Sequence, residues 1–404
     1  MKIAIIGGGA SGLVTAYLLD RHHHDVTLFE KQPILGGHIR TLNKNVKPDR
    51  GDCNLFLEGG VLEFPVVFYN FLKLMVELGV ELEPVNINSG LFFQDGRYFL
   101  SAGNIDKNFG GWQRAIEYLR LDGLYARSAP LWMKVKFASM PELYDRPLSA
   151  YLQRTCVRTY WLKLLIMYSY SMSFELLDNF PAELAIPILR DYVFVDWVRV
   201  KGGVYSYVEK ILDRFRGKIY LQTHIIKVIR EDGGVKIVFS DGRELTFDRV
   251  VFATPPDCVL PLLAAPTDRE IRRFGAWQKN IATTTIHTDT SMYAKYGIEH
   301  FSEFDFFQTS QSWGYNAYLN HLCGVAGDRA YSLAFNLDDL IDRDRVIQRL
   351  EHHTPLYTLE SFRYRDEIVE TNGENYTYYV GAYLSDGLHE GAIVSALRVA
   401  KLIG

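Results

Sequence analysis

Cysteine is scarce in this chain. Four residues (Cys53, Cys156, Cys258 and Cys323) are scattered over 404 positions, with no C-x-x-C pair. That spacing argues against a zinc site and against a disulfide framework, and it suits a reducing compartment. A surplus of positive charge is missing too. The formal net charge is −4 and no long basic run occurs, so nucleic-acid binding is not indicated. Long apolar runs are also lacking. The best, residues 161–172, is about a dozen residues and includes Lys163, which is too short to span a bilayer and leaves at most a peripheral membrane contact. The N-terminal apolar run is too short for a signal peptide and leads straight into glycines. A cytoplasmic protein is therefore expected. His22-His23-His24 has a metal-like look, but consecutive residues point around a helix rather than converge, so no metal site is expected.

What is present is an ordinary globular composition, 48% apolar and 23% charged, with 14% aromatic residues, including 25 Tyr and 24 Phe. The aromatic share suits a large apolar pocket and an aromatic core equally. The length allows two domains.

The first thirty residues carry the clearest chemistry. An apolar run at Lys2–Ile6, fit for a strand buried on both faces, is followed by Gly7-Gly8-Gly9-Ala10-Ser11-Gly12, a helical stretch, and a second apolar run ending at Glu30. Gly7, Gly9 and Gly12 have G-x-G-x-x-G spacing: a tight turn, a close backbone approach to a pyrophosphate, and close helix–strand packing. The helix start, with Ala10 and Ser11, offers free N–H groups and a positive dipole end to phosphates. Glu30, 18 residues after Gly12, is placed to accept bonds from ribose hydroxyls, with Lys31 beside it. Strand, loop, helix and acid together are the context this motif requires.

Further along, residues 68–78 have a helical apolar period ending at Gly79, and residues 80–100 read as short strands with a turn at 94–97. Residues 105–190 read as mostly helical, punctuated by prolines. They form either a packed subdomain or a cap over a lipid-sized pocket. Residues 197–208 read as strand, Gly202-Gly203 turn and helix, and residues 219–230, 235–239 and 245–250 as a three-strand set. Strands are expected at 283–287, 315–320 and 331–336, a helix at 344–353, then a strand, a glycine turn and a closing helix from about 376 to the end.

Residues 35–41, Leu-Gly-Gly-His-Ile-Arg-Thr, resemble the L-G-G-R-x-x-T signature of the flavin amine oxidase and phytoene desaturase superfamily, with His38 in place of the usual arginine. In order along the chain follow Phe180-Pro181-Ala182, a W-x-x-V-x-G-G-x-x-x-Y pattern from Trp197 to Tyr207, Ile286-His287-Thr288-Asp289, and Gly381-Ala382-Tyr383 through His389-Glu390. Together these resemble the short NAD/FAD-binding flavoproteins often encoded beside cyclopropane-fatty-acid-synthase-like methyltransferases. The run at 61–66, Val-Leu-Glu-Phe-Pro-Val, departs from the Phe-Asn-Glu-Arg-Thr-like run common there, and Ala382 stands where the wider superfamily has Asp.

The resemblance implies an α/β fold: a Rossmann-like FAD-binding domain of glutathione-reductase type with an inserted mixed-sheet plus helical substrate domain. Residues 1–65, 200–265 and 370–404 would form the first, and 66–199 and 266–369 the second. It implies FAD, held by the residues of the first glycine loop, Glu30, Lys31, Gly36, Gly37 and His38. The acid-glycine stretch Glu58, Gly59 and Gly60 would pass before the flavin ring. The main chain of Val228 would lie by the adenine, with Ala253 and Thr254 returning to the glycine loop. Gly381, Ala382, His389, Glu390, Gly391 and Ala392 would sit at the pyrimidine end. Candidates for chemistry are Lys279, as the lysine that holds a water near N5, Tyr379, as part of an aromatic cage with Tyr378 and Tyr383, and His389, as acid or base. His287 reads as a satisfied strand histidine. The expected reaction is hydride transfer from a lipophilic substrate, a fatty acyl chain for instance, to flavin N5. Amine oxidation, redox-neutral double-bond isomerisation and a non-catalytic flavin protein stand as alternatives.

Overall fold

The computed structural model describes residues 1–50, 55–152 and 157–404. Cys53 and Cys156 lie outside them, as does the 51–54 part of the stretch leading to Glu58.

Two sheets organise the described chain. The first has five parallel strands in the order Thr377–Tyr379, Arg249–Phe252, Lys2–Ile6, Asp25–Phe29, Lys218–Tyr220. Its central strands are continuous apolar runs because helices cover the sheet, as parallel pairing demands. The N-terminal helix Ala10–Arg21 and the closing helix His389–Ile403 pack side by side on it. The second sheet has seven strands, in the order Val346–Pro355, Lys279–His287, Ser332–Phe335, Trp313–Tyr318, Phe304–Gln308, Ser89–Phe92, Tyr98–Leu100. Within it, Phe304–Gln308 runs parallel to Ser89–Phe92. A helical layer, Gly111–Phe137, Val157–Tyr170 and Ala182–Asp191, packs around one end. Among the described residues no helix is long and apolar enough to cross a membrane.

Several expectations need correction. Residues 344–353 form no helix: Val346–Pro355 is a ten-residue strand paired along Lys279–His287. A stretch of that length is a marginal helix alone, and Lys279–His287 offers it a ladder along nearly its whole length instead. Residues 219–230 are two strands. Lys218–Tyr220 joins the parallel sheet beside Asp25–Phe29, and Ile225–Glu231 turns away into a three-stranded antiparallel set. The break is at Gln222, where φ is 52°. Pro130 and Pro187 lie inside helices rather than between them.

Candidate functional site

Three glycine-bearing segments lie backbone against backbone. Gly36 N–H donates to Gly8 O (2.8 Å), and Gly9 and Gly36 form an isolated bridge. Gly59 N–H donates to Arg40 O (2.7 Å), and Thr41 bridges Glu58. A Cβ on Gly37, whose φ is +60°, would stand 2.9 Å from Gly9 Cα. A Cβ on Gly12 would collide with Gly7 O and stand 3.0 Å from Ala253 Cβ. At Gly9 the nearest atom to a Cβ is 3.7 Å away. So Gly12 is required by the protein's own packing, while at Gly9 a Cβ would fit in ordinary contact with Gly37. Asn45 holds the second segment in place: it accepts from Thr41 N–H and donates to the carbonyls of Leu35 and Ile39 (2.7–2.9 Å).

The mixed sheet presses on this layer from the other side. The Gly59 carbonyl accepts from Thr284 Oγ1 (2.6 Å) and lies 3.0 Å from His352 Nε2. His352 is pushed down to about 3, first by burial and then by His38 and Arg40. His38 itself exposes much of its surface, yet the surrounding protein holds its imidazole below its ordinary value.

The residues present fit FAD. The N-terminal helix starts at Gly9 with no side-chain cap and no acid in its first turn, leaving it open to a phosphate. Two buried donors near the loop lack partners, Arg40 Nη1 and Thr254 Oγ1. Burial lowers the Arg40 pKa while Glu30 opposes the shift. Glu30 accepts from Gly8 N–H (2.7 Å) and Gln32 N–H (2.8 Å), one bond on each oxygen, so each oxygen retains accepting capacity. At the closing helix, Asp386 takes the N–H groups of Leu388 and Gly391 (2.8 and 2.9 Å). Nothing among the described residues accepts from the N–H groups of His389 or Glu390. Gly381 N–H donates to Ser395 Oγ (3.0 Å), and the Ala382 carbonyl accepts from Ser385 and Gly387. Ala392 N–H is spent inside the helix, on Leu388 O.

Other expected contacts find different employment. The Glu58 carboxylate, raised to about 8 by burial, accepts from Thr41 Oγ1 and from Val204 N–H (2.6 Å). It pins backbone segments together, so the backbone after it, rather than its side chain, is available to a cofactor. The Val228 carbonyl accepts from Ala264 N–H (2.9 Å) and keeps one lone pair. Glu390 caps the helix Tyr69–Leu78, accepting from Asn70 N–H and Phe71 N–H (2.9 Å each). It joins two helix starts rather than turning to a cofactor.

The three candidates for chemistry have the following surroundings. His389 lies in an aromatic box, 5.1 and 5.2 Å from the rings of Phe64 and Phe71, with Tyr207 Oη 2.9 Å from Nε2. Burial holds it near 3, so it is neutral and a weak base. Tyr379 donates to Glu270 (2.9 Å), which also pairs with Arg230 (2.5 Å); its hydroxyl is committed to that network. Lys279 is exposed at the start of its strand. Together with Lys31 it acts electrostatically on Cys258. Asp257, Cys258 and His353 present ligand atoms within 4.8 Å of one another, but His353 is bonded to Asp257 (2.8 Å). Two nearby ammonium groups make that corner unfavourable for a cation. His287 is satisfied by Asn316 (2.8 Å) and Asp289 N–H (3.2 Å).

Two groupings are not legible in the sequence, although one of them includes Tyr383 of the expected cage. The first is aromatic. Tyr383 gathers with Trp277 (5.4 Å), and Tyr357 with Trp277 (5.7 Å) and Tyr170 (5.2 Å). A Cβ on Gly387 would stand 2.5 Å from Tyr170, so this wall abuts the C-terminal glycine turn. Tyr383 Oη and Trp277 Nε1 are buried without partners. The second is Glu63, three residues past Gly60 and 9% exposed. Tyr168 donates to its Oε1 (2.7 Å), while Oε2 is buried and unpartnered. Burial first, and then Glu303, raise Glu63 to about 7 against the bond from Tyr168. Glu63 stands within the run 61–66 that departs from the superfamily pattern. That was its only sequence signal; its partners are a hundred and more positions away.

Residues 10–314 match the family described as flavin containing amine oxidoreductase. The chain belongs to this family, within the flavin amine oxidase and desaturase superfamily of FAD-dependent oxidoreductases, and FAD is its cofactor. It is 29% identical over 140 residues to tryptophan 2-monooxygenase of Allorhizobium ampelinum, covering 32% of this chain and 19% of that protein. It is 33% identical over 113 residues to 4,4'-diapolycopen-4-al dehydrogenase of Metabacillus indicus, covering 26% of this chain and 21% of that protein. The chain thus spans about a fifth of these curated relatives. Among solved structures, it resembles the CLA-producing fatty acid isomerase from P. acnes, with a TM-score of 0.70 at 16% identity, over 99% of this chain and 97% of that one. Cyclohexylamine oxidase from Brevibacterium oxydans gives 0.70 at 14% identity, over 100% and 98%. Putrescine oxidase bound to putrescine gives 0.69 at 15%, over 100% and 99%. At these identities the likeness is one of fold.

Proposed function

We propose that this chain is an FAD-dependent oxidoreductase that takes a hydride from a lipophilic substrate, a fatty acyl chain being the leading instance. The observation that carries the substrate class is the aromatic wall of Tyr170, Trp277, Tyr357 and Tyr383 beside the glycine turn that opens the closing helix. Such a surface favours apolar chains and excludes water. When bound, flavin supplies a two-electron acceptor at N5. The chain's part is positioning. The free N–H groups of His389 and Glu390 favour negative charge at the helix start. The unpartnered Tyr383 Oη and Trp277 Nε1 are donors available to a polar group of the substrate. Glu63, bonded to Tyr168, holds or releases a proton near neutrality.

Amine oxidation is a second reading, favoured by Glu63 and Glu303, two carboxylates close enough to influence one another, where a cation would be stabilised. Anaerobic mixing of the holoprotein separates the two. Linoleic acid is expected to bleach the flavin band near roughly 450 nm, and putrescine or benzylamine to leave it unchanged. Bleaching by an amine alone contradicts the acyl reading. Acyl product formed with no electron acceptor present identifies isomerisation, and a protein that no substrate of either class bleaches would stand as a non-catalytic flavoprotein.

A further inference from the structure

The helix Gly111–Phe137 has two apolar faces. Leu121, Leu124, Ser128 and Val135 are buried on the inner one. On the outer side run Trp112, Ile116, Leu119, Gly123, Ala126, Pro130, Met133 and Phe137, separated alternately by four and three residues. At about 100° per residue these positions stay within one narrow stripe, opposite the buried face. Its large members are among the most exposed apolar residues of the molecule: Trp112 is 84% exposed, Leu119 72% and Phe137 69%. A continuous apolar stripe some 40 Å long, by the rise of a helix, is more than the scattered exposed residues of an ordinary surface.

The charge beside the stripe indicates what covers it. The helix carries Arg114, Arg120, Arg127, Lys134 and Lys136 against Glu117 and Asp122, in a chain whose net charge is −4. Arg120, Arg127 and Lys134 recur every seven residues and so form a row along one flank; Arg120 is bonded to Glu117 and to the Tyr98 carbonyl, and Lys134 to the Ala150 carbonyl. Arg127 has no partner among the described residues. A two-fold pairing with a second copy through this stripe would set the row against itself, since an isologous contact brings like against like. A bilayer with anionic headgroups accepts both features at once. The apolar stripe enters the headgroup–acyl boundary, the unpaired Arg127 meets a lipid phosphate within a helix of net positive charge, and Trp112 sits at the interface.

We propose that the outer face of this helix docks the protein on an anionic lipid surface. The inference stands whatever the substrate is. Flotation of the holoprotein with vesicles tests it, using phosphatidylcholine alone and phosphatidylcholine with phosphatidylglycerol. Wild type is expected to float with the anionic vesicles, at least tenfold better than with the neutral ones, and its tryptophan emission to shift to the blue. The double variant Trp112→Glu, Leu119→Glu should lose flotation while keeping FAD content and melting temperature. Arg127→Glu with Lys134→Glu should remove the preference for anionic lipid. No flotation of wild type, or flotation indifferent to these changes, overturns the proposal. So does a wild-type dimer in light scattering that Trp112→Glu, Leu119→Glu converts to monomer without any vesicle binding.

Discussion

Glu63 shows how a residue can pass unremarked in the sequence. It lies in a run that breaks the superfamily pattern, yet its chemistry comes from burial and from Tyr168, neither of which a local reading can supply. Its folded pKa of about 7 lies above the ordinary 4.5. The folded state therefore keeps the proton where the unfolded chain releases it, and stability falls as pH rises from about 4.5 to 7. Glu63→Gln removes that penalty. It is expected to raise unfolding free energy on the order of 3 kcal/mol at pH 8 and to change little at pH 4, as measured by denaturant titration at both values. An equal effect at the two pH values would contradict the burial account. Tyr379 illustrates the reverse: an aromatic at a suggestive place whose hydroxyl serves Glu270. Tyr379→Phe should cost about 1–2 kcal/mol of stability and leave turnover within about twofold, since it removes only that bond; a large loss of turnover with unchanged stability would restore its place in catalysis.

Among elements, those with local signals were legible. The glycine loop and its flanking strand and helix follow from spacing alone, and the helix after residue 68 stops at Gly79, whose φ is +71°. Elements decided by distant partners were not legible. Val346–Pro355 becomes a strand because Lys279–His287 offers it a full ladder, and Lys218–Tyr220 leaves its expected neighbours because Asp25–Phe29 has an open edge. The glycine loop also divides into roles that spacing cannot rank. Gly12→Ala is expected to destabilise the cofactor-free protein by more than about 2 kcal/mol, because its Cβ meets the Gly7 carbonyl. A melting curve of the apoprotein identical to wild type would contradict that close packing.

At the scale of the whole molecule, the sequence motifs named the cofactor while the assembly of its site stayed hidden. Residues 7–12, 36–37 and 59–60 come together through main-chain bonds, and the mixed sheet reaches the same layer through Thr284 and His352. The aromatic wall is built from residues 170, 277, 357 and 383, spread over half the chain, so composition could announce aromatic abundance but not its location. The central claim is that these converging backbones form one FAD site whose phosphates approach the main chain at Gly9. FAD titration into cofactor-free wild type and Gly9→Ala, with apoprotein melting measured alongside, tests it most directly. One FAD bound by wild type and affinity reduced at least tenfold in Gly9→Ala at unchanged apoprotein stability is the predicted result; equal affinity in the two proteins would contradict it.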